Sequence, residues 1–253
     1  MNAAEQPAPD EYARGALAPG RATTRCVKRL QTQYRKDVPS AVATLARLRR
    51  SIGRPVHDSP DSWGIDGLED LVSVRSATPG RSRDEDRDLA EEKAVHLAVT
   101  LWALHQQSVH DDNMHESGWG LGRAVRGLAL KKRDSESAED VEQKAPRPDT
   151  KPDDEPNETL RKRFARIGTS TTFDSLTIRL RELTLLLRAA RVPLDYGLLA
   201  DQLLQWQDDS QRAEVRRAWG RDFHSSAHRA KRFPPAEAKG SIQNDDHGYD
   251  SGE

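Results

Sequence analysis

The chain has 253 residues, of which 35% are hydrophobic and 32% charged, with a formal net charge of −1. That length admits one large domain or two small ones, and the thin hydrophobic share predicts that part of the chain does not pack. No apolar run approaches the ~18 residues of a bilayer span, and MNAAEQPAPDEY lacks the basic start and apolar core of a signal peptide. The lone Cys26 excludes an internal disulfide and any multi-cysteine metal site, so a cytoplasmic protein is the expectation.

Residues 1–20, rich in Pro, Ala and Gly, read as a disordered lead-in. A first helix is predicted over 21–36, and Asp37 and Pro39 open a second that ends near Ile52. In that second helix Ala41, Val42, Leu45, Leu48 and Ile52 recur at core-facing spacing. Arg47, Arg50 and Arg54 project to the opposite side, with Arg49 on the flank. Gly53 and Pro55 stop the helix. Residues 53–83 read as loop, with Trp63, Ile65, Leu68, Leu71 and Val72 as anchors onto the core.

A third helix is predicted over 84–108. Its DEDRDLAEE start suits the positive end of a helix dipole, and AVHLAVTLWAL is apolar almost all round, the mark of a central buried helix. A fourth spans 118–132. The charged, proline-bearing stretch 133–156 reads as a flexible insertion. Four more helices follow at 157–167, 174–191, 194–207 and 210–231, and the chain from 232 to 253 is tail. Leu176, Leu180, Leu183, Leu187 and Ala190 form one core stripe, and Tyr196, Leu199, Leu203 and Trp206 another. Nothing alternates like a strand. The prediction is an all-α bundle of about eight helices in two lobes, 21–132 and 157–231.

Charge is segregated along this plan. Residues 21–50 carry a net +8 and 160–233 a net +7, whereas 134–155 carries −6. Such asymmetry points to a polyanionic partner. Guanidinium groups suit phosphates because their planar fork grips two oxygens at once. Arg163 and Arg166 lie three apart; Arg181 and Arg188 share a side away from the leucine stripe, with Arg191 nearby. Arg212, Arg216, Arg217 and Arg221 line the last helix. Beside them Val215, Trp219 and Phe223 share one face and read as core.

Catalytic signatures are missing from the sequence. GWGLGRAVRG (118–127) follows no strand and has no Walker pattern, so its glycines read as sites of close helix packing. His105, His110 and His115 recur every five residues, a period that does not share a helix face; they read as loop histidines, with His105 in the core or at a helix end. His224 and His228 have no third ligand nearby. No catalytic set, cofactor or metal is expected.

Four segments in order, LARLRRSIGRP, LWALHQQ with GWGLGRAVRGLA, LRKRFARI, and LTIRLRELTLLLRAARVPLDYGLLADQLLQW with VRRAWGRDFH, resemble the CasB family. CasB is the small subunit of the type I-E CRISPR surveillance complex, Cascade. The resemblance covers about residues 21–231 outside the acidic insertion. It implies an all-α, non-catalytic antiviral-defence subunit that sits as a pair beside the other Cascade subunits and their crRNA. It also implies binding to the single-stranded DNA of the R-loop, the displaced non-target strand, with support of the target strand. The family pattern carries over to Arg47, Arg49, Arg50, Arg163, Arg166, Arg188, Arg216, Arg217 and Arg221 as backbone contacts, with Arg25, Lys28 and Arg29 from the first helix. The competing reading is a purely structural adaptor whose arginines meet acidic protein surfaces.

Overall fold

The computed structural model describes residues 16–57, 66–78, 80, 84–141 and 158–230. Among them are nine α-helices: α1 (Ala18–Tyr34), α2 (Pro39–Arg50), α3 (Asp66–Ser76), α4 (Glu85–Gln106), α5 (Leu121–Val141), α6 (Glu158–Gly168), α7 (Phe173–Ala189), α8 (Tyr196–Gln207) and α9 (Arg212–Ala230). The all-α expectation holds. Three boundaries differ from the sequence reading.

Residues Ala18–Gly20, assigned to the lead-in, form the first turn of α1. That turn has no cap of its own. Asp201 of α8 supplies one, accepting the Leu17 N–H at 3.0 Å and the Gly20 N–H at 2.6 Å. A Cβ at Gly20 would fall on this carboxylate, so glycine is what permits the approach. Burial pushes the Asp201 carboxyl up to about 6, against the lowering pull of the two amides.

The stretch predicted as loop contains α3. Its local pattern is weak, and tertiary contacts hold it. Leu71 is fully buried, Gly67 abuts Val95 and Val99 of α4, and Asp70 faces the arginines of α1. Leu71 anchors as expected and Leu68 is half-buried, but Val72 is 58% exposed; Trp63 and Ile65 lie outside the described residues. Finally, α5 runs nine residues into the predicted insertion, to Val141. No proline or glycine interrupts that stretch, and its Glu and Ala favour helix.

The centre is α4, buried continuously from Ala94 to Gln106 and contacting α1, α2, α3, α7 and α8. One hydrophobic core runs from Ala22 to Phe223, so the segments predicted as two lobes share it. Both leucine stripes lie inside it, as do Val215, Trp219 and Phe223; Ala190, at the end of its stripe, is only half-buried. In the second helix Ala41, Leu45 and Leu48 are buried, Ile52 is half-buried and Val42 faces out. Close packing at the GWGLGRAVRG glycines is real at Gly122, where a Cβ would meet the Trp219 carbonyl and the Phe223 amide of α9. The loop before α5 is stitched to the start of α8: Leu194 N–H donates to Met114 O at 3.1 Å and Asp195 N–H to Trp119 O at 2.6 Å.

Candidate nucleic-acid interface

The basic residues fall into two populations, and their partners divide them. On α2, Arg47 and Arg50 are exposed and Arg49 is half-buried. Arg47 bonds the Thr44 hydroxyl at 3.2 Å, and Arg50 Nε the Ala46 carbonyl at 3.2 Å. Neither contact removes charge. With exposed Arg54 just past Gly53 (φ +77°), this helix end presents guanidinium groups that meet no carboxylate among the described residues.

A second cationic region is the cleft between α6 and α7. It holds about 420 Å³ and is lined by Thr159, Arg163, Arg166, Arg179, Glu182 and Leu183. Arg163 and Arg166 are exposed and unpaired among the described residues; Lys162 pairs with Glu158 at 3.4 Å. Arg179 is fixed, donating to the Ser170 hydroxyl at 2.9 Å and to the Arg166 carbonyl. The floor continues past Ile178, which is 60% exposed. A cleft with several guanidinium groups, one carboxylate and an exposed apolar side chain suits a phosphate backbone with its sugars or bases alongside. The sequence reading missed Arg179, because only the α6–α7 packing brings it beside Arg166.

Most of the other predicted contacts are already engaged. Arg25 and Arg29 both meet Asp70, 4% exposed, at 3.1 Å. Arg217 and Arg221 share Glu214 at 2.7 and 2.6 Å, and these bonds, Arg221's first, hold that carboxyl below its usual range. Half-buried Arg188 caps the end of α4 through Gln107 Oε1 at 2.9 Å and the Leu104 carbonyl at 3.5 Å. Arg191 meets Asp111 and Asp112. Arg216 is exposed, bonded only to its own helix at Arg212 O. Lys28 is exposed too, but faces a separate groove with Arg35 and Lys36. Each of these partners sits far away in sequence or on another turn, which is why composition alone cannot tell a free arginine from a paired one.

The histidines do not form a metal set; among the described residues no group of three or more metal-capable side chains gathers. His105 is fully buried, its Nδ1 at 2.8 Å from the Tyr196 hydroxyl, and burial pushes its pKa down to about 3. His115, read as a loop histidine, is also buried, and its Nδ1 accepts the Tyr196 N–H at 3.2 Å. Of these three, His110 faces out, 3.0 Å from Asp37 and stacked on Tyr34.

These features define an all-α protein with guanidinium groups that are unpaired, among the described residues, on two of its surfaces. The family model for the CRISPR-associated protein Cse2 matches residues 44–224. The chain belongs to the Cse2, or CasB, family. It is 39% identical to the crystal structure of CasB from Thermobifida fusca, covering 83% of this chain and 99% of that one with a TM-score of 0.65. A Cse2-family protein of Thermus thermophilus shares 23% identity over 83% of this chain and 99% of its own, with a TM-score of 0.52. A chain of a CRISPR RNA-guided surveillance complex shares 20% over 85% and 98%, with a TM-score of 0.54. At these lower identities the likeness is one of fold. Among curated proteins, none matches this sequence.

Proposed function

We propose that this chain is a non-catalytic small subunit of a cytoplasmic type I-E Cascade complex, where it clamps nucleic-acid backbone and stabilises the R-loop. The carrying observation is the division of its arginines. Those on α2, with Arg163 and Arg166 in the α6–α7 cleft, meet no carboxylate among the described residues, whereas Arg25 and Arg29 share Asp70 and Arg217 and Arg221 share Glu214. A fold-related chain comes from a CRISPR RNA-guided surveillance complex, which supports assembly beside crRNA-bearing subunits; pairing with a second copy of this chain belongs to the same proposal. R-loop formation exchanges one duplex for another of similar stability, so a few phosphate contacts tip it. The displaced non-target strand and the target strand are the ligands in this reading.

Reconstituted complex carrying Arg47→Glu/Arg50→Glu is expected to assemble normally and to release its R-loop faster. An unchanged R-loop lifetime would overturn the clamp. The adaptor reading draws support from the same internal ion pairs, which show that arginines of this chain readily accept protein carboxylates. It predicts the opposite outcome, defective assembly with normal R-loop decay.

A further inference from the structure

Lys28 joins neither the α2 arginines nor the α6–α7 cleft. It opens onto a groove of about 600 Å³ between the C-terminal half of α1 and the 113–117 loop, a volume within the ~300–1,000 Å³ range of small-ligand sites. Lys28, Thr32, Arg35 and Lys36 face it from positions i, i+4, i+7 and i+8 of one helical side, the last two just past the helix end. Asn113, Glu116 and Ser117 face them from the loop.

The groove is built before any ligand arrives. Arg35 holds the loop by donating to His110 O at 3.1 Å, Asp111 O at 2.9 Å and Asn113 Oδ1 at 2.9 Å. Buried Gln31 reads the His115 backbone twice, accepting its N–H at 2.9 Å and donating to its carbonyl at 3.3 Å. Buried Trp102 donates to the same Gln31 oxygen at 3.4 Å. Rigid walls of this kind lower the ordering cost of binding.

Its chemistry is that of an anion site with a polar edge. Lys28 and Lys36 form no ion pair among the described residues, and Arg35 is bonded to neutral oxygens only. Three cations thus face one carboxylate, Glu116. With Asn113 Oδ1 taken by Arg35, that amide presents its N–H groups to the groove, beside the Ser117 hydroxyl. His115 in the inner wall accepts Tyr196 N–H at Nδ1, so its proton sits on Nε2, which has no hydrogen-bond partner among the described residues. At ~1.5 Å rise per residue the two lysines stand about 12 Å apart along the axis. Their flexible stems therefore reach phosphates on either side of one bound unit.

We propose that this groove seats a single nucleotide of a single-stranded nucleic acid. Its flanking phosphates lie on Lys28 and Lys36, and its polar edge meets Asn113, Glu116 and Ser117. The proposal rests on the nucleic-acid reading above and adds a site outside both arginine surfaces.

The test titrates thymidine 3′,5′-bisphosphate and, separately, inorganic phosphate into the full chain by calorimetry, with amide NMR to locate the site. In parallel a labelled single-stranded oligonucleotide is titrated against wild type and Arg163→Gln/Arg166→Gln. Saturable bisphosphate binding is expected, with shifts at Glu116 and Ser117 and at least a tenfold affinity loss in Lys28→Ala/Lys36→Ala. Circular dichroism confirms that this exposed double variant is folded. No saturation at millimolar bisphosphate, equal binding by the lysine variant, or inorganic phosphate binding as tightly as the nucleotide would each overturn the groove assignment. Oligonucleotide binding lost only in the arginine variant, with bisphosphate binding absent, would sink the groove and leave the clamp standing; bisphosphate binding without any oligonucleotide binding would overturn both as single-strand sites.

Discussion

Removing Arg163 and Arg166 together should change the salt dependence of single-strand binding by an amount that can be worked out beforehand. Both are exposed and unpaired among the described residues, so each holds condensed counterions off the strand when it meets a phosphate. Each such contact contributes about 0.7 to the slope of log K against log salt, so Arg163→Gln/Arg166→Gln should flatten it by ~1.4. Over a fourfold rise in salt, one contact is worth about 2.6-fold in affinity and the pair about sevenfold. The structure supplies an internal control. Arg217 and Arg221 already share the one carboxylate of Glu214, at 2.7 and 2.6 Å, which offsets half of their charge, so Arg217→Gln/Arg221→Gln should flatten the slope less. Fluorescence anisotropy of a labelled single-stranded oligonucleotide across a salt series reads both numbers. Equal flattening by the two double variants would refute the division of the arginines by their partners.

Three further outcomes concern stability. His105, held down to about 3 from 6.5 by burial, binds its proton only in the unfolded chain across that window, so it stabilises above pH 6.5 and less as pH falls. Asp201, raised to about 6 from 3.8, acts oppositely, its contribution returning as pH falls through 6. By pH 5 these amount to a loss of about 2 kcal/mol and a recovery of about 1.4 kcal/mol. His96 and His115 are also lowered by burial, so acid should destabilise on balance. His105→Gln should show a shallower acid limb in thermal melts, and an unchanged limb would contradict the assignment. Gly122→Ala should cost about 1–3 kcal/mol in urea unfolding despite the better helix propensity, because the new methyl meets backbone of α9 that cannot rotate away. Arg75, 13% exposed, holds Glu91 (1% exposed) at 2.9 Å and Glu92 at 2.8 Å. Arg75→Met should therefore lose about 3 kcal/mol, part of it regained in Arg75→Met/Glu91→Met; no recovery in the double variant would argue against a buried-charge penalty.

The heptad-like leucines of α7, the apolar run of α4 and the prolines and glycines between helices were enough to predict an all-α chain, since period and punctuation are local properties. The ordered basic and leucine segments also carried the family. The weakly patterned α3 escaped, because its stability comes from Leu71 in a distant core and Asp70 against α1. The first turn of α1 escaped for a similar reason: its cap, Asp201, lies 181 residues from Gly20. Charge sign and density were written in the sequence, but charge availability was not. Whether an arginine is free depends on a carboxylate brought to about 3 Å by packing, and ion pairing is too short-ranged to be read along the chain. So the sequence by itself determined helices, a basic character and a family. Only the tertiary structure decided which guanidinium groups still face solvent unpaired, that Arg179 joins Arg166 in one cleft, and that Lys28 faces the 113–117 loop instead.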